Sequence, residues 1–118
     1  GQQQLMLARQ YYLTALEDSL QQKSSLGIWM ASSGLALLLL AAGEARLAIQ
    51  SYAPLARRLA GDSQWWDATV GTHVDAAVTK LGDEGTALWA QGGARDVWQT
   101  ATFLLTELAQ LGWSTQQA

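Results

Sequence analysis

His73 is the only histidine of the chain and the side chain best suited to proton transfer near neutral pH or to holding a metal. A base needs an orienting partner. Asp67 and Asp75 are close in sequence, but neither lies three or four residues from His73. Its helical neighbours are Trp66, Thr69, Val70 and Ala77, so His73 reads as a flank or packed histidine. Glu17, Glu44, Glu84 and Glu107 are the other groups of interest, yet none begins the Glu-x-x-His pair that di-metal helical bundles use. The chain has no cysteine, which removes disulfides, thiolate zinc sites and cysteine nucleophiles. No G-x-S-x-G elbow and no Gly-Lys-Ser/Thr phosphate loop is present. The expectation is therefore no catalytic residue, no metal and no cofactor, with enzyme activity a third choice behind two kinds of binding.

Charge narrows the partners. Ten acidic and seven basic residues give a net charge of −3. Arg9, Lys23, Arg46, Arg57, Arg58, Lys80 and Arg95 are scattered, with only Arg57 and Arg58 adjacent. Nucleic-acid affinity comes largely from clustered cations on phosphates, so nucleic acid is not an expected partner. A cysteine-free chain suits a bacterial cytoplasm or a periplasm equally, and the compartment stays open, with a soluble protein favoured. The glutamines at both ends fit a domain excised from a longer chain as well as they fit ordinary solvated termini.

Tryptophan is the most unusual component, with six in 118 residues. Trp29, Trp66 and Trp98 fit apolar stripes, whereas Trp65, Trp89 and Trp113 fall at helix ends or links. Aromatic side chains in such places mark contact surfaces or line pockets. The candidate partner- or ligand-binding residues are thus Trp65, Trp66, Trp89, Trp113, Tyr11, Tyr12 and His73. The function expected from them is a non-enzymatic protein-interaction or self-association module with an aromatic surface. The alternative is a small-molecule or haem-type sensor or carrier, in which Trp and Tyr line a cleft and His73 or Arg46 orients a polar group. A membrane-anchored protein would be one setting for such a domain.

These residues need elements to hold them. Apolar spacings of three and four predict a first helix over about 3–22, followed by a Ser24 or Ser25 cap. The segment from Ser24 to Gly43 contains no charge, and its periodicity continues through Leu40, Leu47 and Ala48. This predicts a central apolar helix over about 26–52, stopped or kinked at Pro54, with a short helix over 54–60. A third helix is expected from an Asp62 or Ser63 cap to Gly82, carrying Trp66, Val70, His73, Val74, Ala77 and Leu81. Residues 83–91 read as one or two turns in a connection, and a last helix places Asp96 near the positive end of its dipole and is stopped by Gly112. The fold class is all-α: a single domain over 1–118, an antiparallel bundle of four principal helices with short connecting helices.

The uncharged segment is long enough to raise a membrane span. Against that stand four serines within it, cations on both flanks, and three other amphipathic helices in need of a partner face. Membrane insertion of 24–43 is the minority expectation. Gly27, Ala31 and Gly34 fall on one side of this helix, where their small side chains admit a close neighbour.

Overall fold

A computed structural model describes residues 1–58 and 67–115. Among them are six α-helices: α1 (Gln2–Gln21), α2 (Ser25–Ala41), α3 (Ala45–Arg58), α4 (Thr72–Leu81), α5 (Asp83–Gly93) and α6 (Val97–Gln110). A π-helical turn, Asp67–Gly71, leads into α4. The class is all-α, as expected, but four matched principal helices are not what forms.

The expected helix over 26–52 is two helices. Gly43, at φ +82°, ends α2. The Gly43 N–H donates to the Leu40 carbonyl at 3.1 Å and the Glu44 N–H to the Leu39 carbonyl at 2.8 Å. This is the Schellman pattern, which satisfies the last carbonyls and reverses the chain. The apolar rows continue past Gly43 only because α3 also faces the core. The same pair of bonds closes α6, through Gly112 (φ +82°) and Trp113, and closes α1, where Lys23 takes the left-handed position at φ 56°.

Pro54 also departs from expectation: α3 runs through it to Arg58, so no separate helix begins there. Pro54 cannot donate to the carbonyl of Gln50, four residues back. That is the stretch of α3 against which Gly92 of α5 packs, with Gln50 Cα 2.8 Å from where a Gly92 Cβ would stand. A helix next to a missing backbone bond is held by its neighbour.

Residues 83–91, expected as one or two turns in a connection, belong to the continuous helix α5, which packs broadly on α3. Arg46 meets Glu84 near the start of both helices and Gln50 meets Gly92 further along, so α3 and α5 run in the same sense. The bundle is therefore not antiparallel throughout. By contrast α1 and α2 do form an antiparallel hairpin, with Gly27 against Ser19 and Gly34 against Tyr12. The small-residue side of α2 is where α1 approaches.

The core joins Leu13 and Leu16 of α1, Ile28, Trp29, Leu35 and Leu39 of α2, Ile49, Tyr52 and Leu55 of α3, Val70, Val74, and Leu104 and Leu108 of α6. Each fully buried aliphatic side chain contributes about 1.5–3 kcal/mol. No helix among the described residues is long and apolar enough to cross a membrane.

Candidate functional site

The residues singled out by type do not converge. Trp29 is buried in the core. Trp89, half-buried on α5, lies 6.4 Å from the Tyr52 ring. Trp113 lies under the Arg9 guanidinium, 4.7 Å from ring centre to Cζ. Trp98 stands exposed at the start of α6. Tyr11 and Tyr12 touch edge to face at 5.3 Å, but Tyr12 faces Gly34 while Tyr11 points outward. Trp65 and Trp66 lie outside the described residues. Among the described residues no aromatic cluster exists, which overturns the aromatic interaction surface. Sequence periodicity gives a helix face for each ring, but not which faces come together.

His73 is exposed on the first turn of α4. No group of three or more metal-ligating side chains occurs among the described residues. Arg46 is held by Glu84, with Nε to Oε2 at 2.9 Å and a second nitrogen to Oε1 at 3.0 Å. Hydrogen bonding and charge from Glu84 raise the Arg46 pKa, and the Arg46 hydrogen bond is the largest cause that lowers that of Glu84. Among the described residues the Arg46 guanidinium is engaged by Glu84, and none of the grooves that form there is lined by His73 or Arg46. Arg95 lies 3.7 Å from the centre of the Phe103 ring and donates to Gln50 Oε1 at 3.1 Å. Burial there lowers its pKa, opposed by the charge of Glu107. These cations join helices to one another.

The exposed large apolar side chains gather elsewhere. Most belong to the α1–α2 hairpin: Leu5, Met6, Leu7 and Tyr11 on α1, Leu26 and Met30 on α2. On α2, Leu26 is 63% and Met30 49% exposed, and Leu37 and Ala41 continue their row. Spacings of four, seven and four place these four residues within about 60° of arc at 3.6 residues per turn. No charge interrupts the row, because α2 contains none.

At its Ala41 end the row opens into a groove of about 310 Å³ between the first turns of α1, the last turn of α2 and Trp113. Leu5, Met6 and Arg9 form one wall, and Leu38, Ala41 and Ala42 the other. The core-facing stripe of α1, buried at Leu13 and Leu16, runs here past the end of its neighbours. Residues after α6 run along α1 from Trp113 away from the groove: Gln10 Nε2 donates to the Ser114 carbonyl at 3.0 Å, and the Thr115 hydroxyl to Glu17 Oε1 at 2.9 Å. Attention to tryptophan missed this aliphatic face. Its signal was the absence of charge on every side of one helix, whereas a half-buried helix ordinarily carries a polar outer face.

Compared with known proteins, the chain matches no family model, no curated protein and no solved structure.

Proposed function

We propose that the chain is a non-catalytic helical domain that works by packing the aliphatic outer face of its α1–α2 hairpin against another protein surface. The observation that carries this is the exposure of Leu26 (63%) and Met30 (49%) on a helix with no charge on any side. Large apolar side chains left exposed next to one another mark interaction sites. The adjoining groove is open along the half-exposed Leu5 and Met6. It suits a side chain inserted from a protein surface better than an enclosed apolar ligand.

A neutral apolar dye such as Nile red tests the face at protein concentrations where copies are separate. The Leu26→Gln/Met30→Glu variant is expected to keep its helicity and unfolding midpoint, because both side chains are exposed, and to lose most of the dye emission. Unchanged emission from a folded variant would remove the proposal.

A further inference from the structure

The groove at the open end of the α1–α2 hairpin has one ionisable residue on its walls, Arg9. The half-buried Arg9 guanidinium lies over the Trp113 ring. A ring face attracts the cation but offers no lone pair, so the N–H donors of the guanidinium still call for an acceptor oxygen. Among the described residues none supplies it: Arg9 makes no hydrogen bond and no ion pair there. Arg46 and Arg95, by contrast, donate to Glu84 and Gln50. Trp113 is itself fixed, because its backbone N–H donates to the Leu108 carbonyl at 2.8 Å where α6 closes. A cation resting on a fixed ring has less freedom to lose when an anion arrives.

The register of the hairpin gives the groove a length and a polarity. Gly27 meets Ser19 and Gly34 meets Tyr12, so Leu5 is level with Ala41, and Arg9 with Leu37. Four residues separate the two levels, about 6 Å at 1.5 Å per residue. Leu5, Ala41 and Ala42 make one end apolar, and Arg9 makes the other cationic. Ala41 and Ala42 also close α2, whose last carbonyls carry partial negative charge. An anion is thereby turned away from that end and towards Arg9.

We propose that the groove seats one apolar side chain of a different protein, with a carboxylate of the same partner bound by Arg9. The apolar group enters between Leu5 and Ala41, and the carboxylate takes the N–H donors that Trp113 leaves open. An Asp or Glu three or four residues from a Leu or Phe on one helix supplies a separation of about 6 Å. The proposal rests on the reading of the hairpin's outer face as a docking surface and states the chemistry of what docks. The net charge of −3 makes Arg9 a local exception on a chain that otherwise repels carboxylates.

N-acetyl-phenylalanine carries both groups whatever the chain direction, and N-acetyl-phenylalaninamide lacks only the charge. Titrations followed by the Trp113 indole N–H and Met6 methyl resonances compare the two. The acid is expected to bind about fivefold more tightly than the amide, the upper end for a part-exposed ion pair. Arg9→Gln is expected to bring the acid down to the amide. Ala41→Phe, which fills the apolar end, is expected to weaken both. The comparison of acid with amide on the wild-type chain needs no variant to fold.

Equal binding of acid and amide, or no shift with either, overturns the proposal and leaves the Leu26 and Met30 face to its own dye test. An affinity that climbs about fourfold with each methylene from hexanoate to decanoate would reveal an acyl channel and overturn a seat for one side chain. Trp113 and Met6 resonances that move with the concentration of the protein alone would put a second copy in the groove and equally overturn a different partner.

Discussion

Gly34 of α2 lies directly against the ring of Tyr12 in α1, leaving no room for a β-carbon. Gly92 of α5 stands in the same relation to the backbone of Gln50 in α3, whose carbonyl carbon is 3.0 Å from the site of a missing Cβ. Both interfaces depend on a hydrogen atom where other residues carry carbon, but what must yield differs.

An aromatic ring can tilt, and a helix backbone cannot. Gly34→Ala is expected to cost about 1–2 kcal/mol, overpacking being partly offset by the helix propensity of Ala. Gly92→Ala should cost more, about 2–3 kcal/mol, since α3 and α5 must separate. Urea unfolding of the two variants measures the order, and a reversed order would contradict the geometry.

Lys23 occupies the left-handed position that Gly43 and Gly112 occupy at the other two Schellman ends. A side chain there costs about 1–2 kcal/mol, and glycine returns part of the gain through a more flexible unfolded chain. Lys23→Gly is therefore expected to stabilise by about 0.5–1 kcal/mol, and Gly43→Ala to destabilise by about 1 kcal/mol. Thermal unfolding reads both signs.

The Ser32 hydroxyl is buried with no hydrogen-bond partner among the described residues. By contrast, Ser33 and Ser51 donate to the carbonyls of Met30 and Leu47. An unsatisfied buried hydroxyl is costly, so Ser32→Ala should stabilise by about 1 kcal/mol while Ser51→Ala should not. A loss of stability in Ser32→Ala, measured by denaturant midpoint, would mean the hydroxyl has a partner after all.

Glu84 has its pKa lowered, the Arg46 hydrogen bond being the largest cause. A depressed carboxylate contributes stability above its unfolded pKa, about 4.3 for Glu, and that contribution is lost as pH falls through the lower folded value. The pair is exposed, so the effect is small and screened by salt. Glu84→Gln should flatten the acid limb of the unfolding midpoint slightly, and only at low ionic strength. An equal acid limb in the variant at low salt would contradict the linkage.

What the sequence revealed and what it hid divide along physical lines. A close neighbour at Gly27 and Gly34 was legible, because small residues seven apart lie on one helix side, but that the neighbour is α1 was not. Also legible was the last helix with its stop at Gly112, although the cap in which Asp96 accepts from the Gln99 N–H at 2.8 Å was not. The break at Gly43 was hidden because Leu40, Leu47 and Ala48 kept helical spacing across it, and periodicity does not register a chain reversal between two core-facing helices. Pro54 misled in the opposite direction, since packing against α5 maintains a helix that local chemistry would interrupt. The tryptophans drew attention by number, yet Trp29, Trp89 and Trp113 are committed to three separate neighbourhoods. The outer face of α2 was present in the sequence as a helix without charge, but burial on all sides explained that equally well until Leu26 and Met30 were seen to be exposed.

Nile red emission at concentrations where copies are separate, for the wild-type chain and Leu26→Gln/Met30→Glu, tests that face most directly. The wild-type chain should raise the emission, while the variant, equally folded, loses most of it. Equal emission from the two folded proteins would contradict an apolar docking face at Leu26 and Met30.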